Sequence, residues 1–203
     1  MATEFKTIDN IKESVGFVKS NLVPCAVAGI CMGIPIVGAS VMVNYLRKKK
    51  EGSLQIGDLF NFENLVGNFL ASLSFLGFMC CFVPGALLSF TMPIMADKPG
   101  TEWLNAIKAS LAFGKKNLVP MCIMILICGL VTAAPMIAMA IITTIGGMIM
   151  SILGMILGLV SLLVLLVVVM VGNPIVIGAI WNCYNGAKAD VAAAAAEAGV
   201  TLA

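Results

Sequence analysis

Between Asn117 and Ala187 this chain carries no Asp, Glu, Lys, Arg or His, and that gap limits its possible folds more than any other feature. Within it, Met148–Val171 is a run of 24 apolar and small residues. At about 1.5 Å rise per residue such a helix reaches roughly 36 Å, against a bilayer hydrocarbon core of about 30 Å. A soluble domain of ordinary size has no use for a helix that is apolar on every side. Composition agrees. The 203 residues are 61% hydrophobic and 11% charged, where soluble domains average about 25% charged. Lipid is expected to cover much of the surface.

Charge and cysteine content exclude several classes of function. A net charge of +2 is too small for a nucleic-acid footprint, and the basic residues sit beside apolar segments rather than along one polar face. The opening MATEFKTIDNIKES is polar and mixed in charge, with no apolar core of a cleavable signal before Leu22. The N-terminus is therefore expected in the cytoplasm and the chain in a bacterial inner membrane. Seven cysteines (Cys25, Cys31, Cys80, Cys81, Cys122, Cys128, Cys183) lie in apolar segments without CxxC spacing, and there is no histidine. They read as small buried hydrophobes, and no metal or cofactor is expected.

Three amphipathic stretches punctuate the chain. In residues 8–20, Ile8, Ile11, Val15 and Val18 recur at helical spacing, with Lys12, Glu13 and Lys19 off that stripe. Residues 53–69 place Leu59, Phe62, Val66 and Phe69 on one side behind Asp58, an expected N-cap. Thr101 is expected to cap the third, TEWLNAIKASLAFGKK, where Trp103 suits the headgroup boundary. These predict helices lying on the membrane surface, although packing on a neighbouring helix would give the same pattern. Lys19, Arg47, Lys48, Lys49, Lys50, Trp103, Lys115 and Lys116 are the expected surface anchors. Thr143–Gly147 reads as a turn, and the alanine-rich tail, 187–203, as helical by propensity or, by default, a frayed end.

Residues 11–24 and 107–120 match at a constant offset of 96, with nine of fourteen positions identical and a shared KxNLVP ending. This predicts a duplicated unit within one membrane domain, 1–203: unit one at about 8–96 and unit two at about 101–186. A proline interrupts each apolar block, at Pro35, Pro84, Pro135 and Pro174. Proline either starts the second arm of a hairpin or kinks one long span. If residues 21–46 crossed once, Lys6, Lys12 and Lys19 would face the opposite side from Arg47–Lys50, which the positive-inside rule disfavours. Hairpins put nearly all basic residues on one side. The expected fold class is thus all-α: a polytopic helical membrane protein with proline-broken hairpins, interfacial amphipathic helices and an internal repeat.

A surface helix with Lys-x-Asn before a span, a Pro-led helix ending in basic residues, Gly57-Asp58-Leu59-Phe60, and Trp103 with Ile107-Lys108 before the next Lys-x-Asn form a recognisable set. Over roughly residues 8–185 it resembles a loose group of uncharacterised bacterial multi-span membrane proteins, which includes the membrane domain of some glycerophosphodiester phosphodiesterases. The compressed first spans depart from that group, and no attached catalytic domain is expected. The resemblance implies no catalytic residues.

Function is read from what the apolar blocks hold. With no ionisable residue inside them and Asp58, Glu63, Asp97 and Glu102 at their edges, no acid, base or activated nucleophile is placed for catalysis. An enzyme is not expected. Gly147, Ser151, Gly154, Gly158 and Ser161 draw one small-residue stripe along the longest helix, and Gly29 and Gly33 repeat the device. Such stripes let helix backbones approach closely in lipid, within one subunit or between copies. The expected function is a non-catalytic membrane protein that self-assembles as a homo-oligomer, or packs as a subunit of a larger complex, and supports or shapes the bilayer. The alternative is a channel or transporter for a small neutral solute, with Asn44, Asn173 and Asn182 along its path.

Overall fold

The computed structural model describes residues 5–73, 82–149 and 151–203; Cys80 and Cys81 lie outside these. Every regular element among the described residues is helical. Helix α1 (Thr7–Ser20) turns through 110° at Asn21 into α2 (Leu22–Met32). Pro35 and Ile36, whose φ is 69°, then reverse the chain into α3 (Val37–Glu51), which closes on left-handed Gly52. Helix α3 packs back on α2, and Glu13, beside Lys12, lies 4.0 Å from Lys49, so both basic groups share one end.

The stretch 53–69 is not one helix. It divides into a 3-10 turn (Ile56–Phe60) and α4 (Leu65–Ser72), separated by Asn64 at φ 57°. Tertiary hydrogen bonds override its helical pattern: the buried Asn44 amide donates to the Leu59 and Asn61 carbonyls at 3.1 and 2.6 Å, at the end of the turn and at the extended residue that follows it. Asp58 is not an N-cap. It sits three residues inside the turn, where its carboxylate accepts from Gln55 N.

Two short helices follow, α5 (Phe82–Leu87), which contains Pro84, and α6 (Thr91–Asp97). Helix α7 (Trp103–Lys116) begins after Glu102, not after Thr101, whose hydroxyl instead accepts from Ala203 N. Helix α8 (Leu118–Ile149) is a single 32-residue element. Pro135 lies inside it without ending it, and the expected turn at Thr143–Gly147 is helical. These glycines serve packing rather than reversal. Gly146 lies against the Leu157 side chain, and a Cβ on Gly154 would come 2.8 Å from the Gly147 Cα.

The returning arm is α9 (Ser151–Val167), a π-helical turn (Val168–Gly172) and α10 (Asn173–Glu197). Pro174 stands in the first turn of α10 and breaks nothing, because its missing N–H falls where the π turn already disturbs the ladder. The alanine-rich tail is not frayed. It continues α10 to Glu197, with Ala187, Val191, Ala194 and Ala195 buried.

The core lies at one end of the molecule. Tyr45, Phe90, Phe113, Trp181 and Tyr184 are fully or nearly fully buried there, and Phe90 stacks on Phe113 at 5.5 Å and meets Tyr184 edge-on. From this head the α8–α9 hairpin projects. No residue of α9 is buried, and Met148 at the tip is 83% exposed. Two helices, 118–149 and the continuous 151–197, are long and apolar enough to cross a membrane; α1 with α2 would make a third if that bent pair counted as one.

Helices α1 and α7 begin and end 96 residues apart, as α2 and α8 begin 96 apart. Asn21 and Asn117 adopt the same backbone (φ −128° and −125°), and their side-chain amides donate to Phe17 O and Phe113 O at 3.1 and 3.2 Å. The same corner is built twice.

Candidate functional site

Three constructions separate the polar end of the molecule from its apolar hairpin. The first is a buried amine. Lys49 is the third residue of the Arg47–Lys50 run, and α3's pitch turns it inward between α1 and α10. Its ammonium donates to Asn182 Oδ1 at 2.5 Å and to Gly178 O at 3.3 Å, and lies 5.9 Å above the Phe17 ring. Asn182 in turn donates to Asn10 O and Ser14 Oγ, while Asn10 donates to Cys183 Sγ at 3.0 Å. Burial pulls the Lys49 amine down to about 8, partly opposed by the Glu13 carboxylate. Of the expected surface anchors, Lys49 is thus a correction: it is 8% exposed and holds the head together. One apolar step along α3, Tyr45 donates to Pro174 O.

The second is a carboxylate clamp. The Asp97 side chain is 1% exposed and accepts from Lys188 at 2.6 Å, Lys50 at 3.2 Å and the Tyr184 hydroxyl at 3.2 Å. Burial alone would raise its pKa, but hydrogen bonds and charge from Lys188 and Lys50 outweigh this and hold it below its ordinary value. Arg47 donates to the Met95 and Ala96 carbonyls at the end of α6. Lys48 pairs with Glu51 and Asp58. The densest basic run in the sequence is therefore engaged with the head, Lys49 inside it and Lys50 on its surface. Apart from Glu51, three residues on from Lys48, the run's partners come from α1, the 3-10 turn, α6 and α10, none adjacent in sequence, so no local pattern could have announced them.

The third is the hairpin seam. Gly147 and Gly154 face each other, and Thr143 and Ser161 share a hydrogen bond of 2.8 Å. These members of the small-residue stripe meet within the chain. Around Gly158 a Cβ would meet nothing within 4 Å, and Ser151 is exposed at the tip. Gly29 seats α2 on the π turn, where a Cβ would lie 2.7 Å from Met170 O and closer still to Val169 O; Gly33 approaches only its own Ile30 O. Where the arms separate, two open grooves of about 410 Å³ each flank α8, one bounded by Val131, Pro135 and Val164, the other by Leu126, Gly129 and Ile177. Both are lined almost wholly by carbon.

Among the asparagines assigned to a solute path, Asn44 and Asn182 have their amides engaged in the bonds above. Trp103 is half-buried against the core, and Lys116 is paired with Glu197, whereas Lys19 and Lys115 are exposed. Among the described residues no group of three or more His, Cys, Asp or Glu is placed to hold a metal ion. Compared with known protein families, with curated proteins and with solved structures, the chain matches none.

Proposed function

We propose that this is a non-catalytic integral membrane protein that inserts the α8–α9 hairpin into the bilayer, packs laterally with copies of itself or within a larger complex, and supports or shapes the membrane. The observation that carries the reading is the partition of charge. Every Asp, Glu, Lys and Arg lies outside 117–187, and ion pairs tie the charged segments to one another at the head. The hairpin arm α8 extends about 48 Å from that end without an ionisable group. Its bare apolar tip would be costly in water, and lipid or another hydrophobic surface relieves that cost.

The two hairpins differ in reach. From Lys48 back to Pro35 is about 20 Å along α3, less than half the length of α8. The short hairpin beside the long one broadens the molecule near the head and narrows it toward the tip, the shape that spreads one leaflet more than the other. Residues 8–96 and 101–186 are read as copies of one plan (surface helix, Asn corner, hairpin), the second with its hairpin extended. The equal spacing of α1–α2 and α7–α8, and the matching corners at Asn21 and Asn117, support this.

Reconstitution into liposomes tests the function. Tubules, small vesicles or ordered arrays are expected by electron microscopy. Smooth, unchanged liposomes that leak a neutral solute would instead favour a conduit and overturn the scaffold.

A further inference from the structure

The two corners share more than backbone. At the 96-residue offset the same positions face outward: Ile8 and Leu104, Lys12 and Lys108, Lys19 and Lys115, Leu22 and Leu118, Val23 and Val119. The same positions face inward as well, Ser14 with Ser110, Cys25 with Met121, Ala28 with Met124. Val23 and Val119 are 63% and 66% exposed, at the first turn of a helix that enters the apolar half of the molecule. Each corner therefore presents an exposed apolar edge at the end of a helix that carries exposed lysines.

These lysines differ from the Arg47–Lys50 run. Lys19, Lys108 and Lys115 are exposed and have no ion pair among the described residues, while Lys12 has only the solvent-exposed Asp9 at 3.8 Å. At the positions of Asp9 and Glu13 the second corner carries Asn105 and Ala109, and at that of Lys6 it carries Glu102. Helices α1 and α7 both pack on α10.

We infer that the two corners form a paired docking surface for anionic phospholipid headgroups, with Leu22, Val23, Leu118 and Val119 below the phosphate plane and Lys12, Lys19, Lys108 and Lys115 at it. The inference rests on the membrane insertion proposed above and adds a lipid preference to it. An ammonium near an anionic surface contributes about 1 kcal/mol, and an apolar edge beneath it sets the depth at which that charge is delivered. Zwitterionic lipid satisfies the edge but not the lysines.

The test uses the full chain in phosphatidylcholine vesicles with and without phosphatidylglycerol. Resistance of the vesicle-bound protein to alkaline extraction reports insertion. Quenching of Trp103 fluorescence by brominated phosphatidylglycerol, against brominated phosphatidylcholine at equal mole fraction, reports lipid preference. An anionic enrichment of at least about three-fold is expected at low salt, given the energy per lysine. It should fall to parity in a variant combining Lys12→Gln, Lys19→Gln, Lys108→Gln and Lys115→Gln, which remains inserted and melts like the parent. Equal quenching of the parent by both lipids, or an enrichment that survives the four substitutions, overturns the inference while leaving insertion intact. Extraction of the parent from both vesicle types overturns the insertion reading itself, and the docking surface with it.

Discussion

Gly29→Ala probes whether α2 is seated on the π turn. The added methyl would stand 2.7 Å from Met170 O and closer to Val169 O, both backbone atoms. Regaining an ordinary separation of about 3.4 Å requires α2 and the π turn to part by more than about 0.7 Å, enough to forfeit a quarter to a half of the dispersion energy between them. Overpacking of this kind costs about 1–3 kcal/mol, and the upper end applies where neither partner is a movable side chain. Alanine returns about 1 kcal/mol as the better helix former, leaving a net loss of about 2 kcal/mol. For a chain of this size that lowers Tm by about 4–8 °C. Gly16→Ala in α1, with nothing within 4 Å of its Cβ, gains the propensity without the clash and should raise Tm by about 2–4 °C. Thermal unfolding in detergent, followed by thiol-dye labelling of buried Cys25 on α2, reads both. Equal melting temperatures for the two variants would refute the seating of α2 on the π turn.

Three further outcomes follow from the head and the hairpin seam. Burial lowers the folded Lys49 amine to about 8 from its ordinary value of 10.5, so the unfolded chain binds the extra proton between those values. Stability should rise with pH across that window, and Lys49→Met should flatten the rise in a pH series of denaturation midpoints. Asp97→Asn leaves the ammonium groups of Lys50 and Lys188 without their carboxylate and should cost about 3 kcal/mol, seen as a lowered midpoint; a loss below about 1 kcal/mol would show that the clamp contributes no more than a surface pair. Gly154→Leu should separate the hairpin arms and lower Tm, because Gly147 is its neighbour. Gly158→Leu faces open space and should leave Tm unchanged while reducing the oligomer seen by crosslinking in vesicles; an unchanged oligomer removes Gly158 from any interface.

Long apolar helices were legible in the sequence because a charge-free run of more than seventy residues has few other solutions. The α1 boundary, the reversal at Pro35 and the equal spacing of the two Asn corners were legible too, since helical periodicity and proline chemistry act locally. Pro135 and Thr143–Gly147 misled for the converse reason. A proline or a glycine pair permits a break, but the facing helix decides whether one occurs, and here Leu157 and Gly154 pack against the glycines. The tail was misread because its alanines look weakly amphipathic in isolation, whereas α10 buries them against the head.

Sequence alone determined where charge is excluded, and therefore which part of the chain water cannot easily cover: that is a property of composition, independent of contacts. Tertiary structure decided what each charge is for. Lys49 and Lys50 stand side by side in one basic run with the exposed look of Lys19 and Lys115. Only the approach of Glu13 and Asn182, up to 133 residues away, buries Lys49, and Asp97 ties the still exposed Lys50 to the head, while Lys19 and Lys115 face outward. Electrostatic interaction falls with distance through space, and separation along the chain does not enter it.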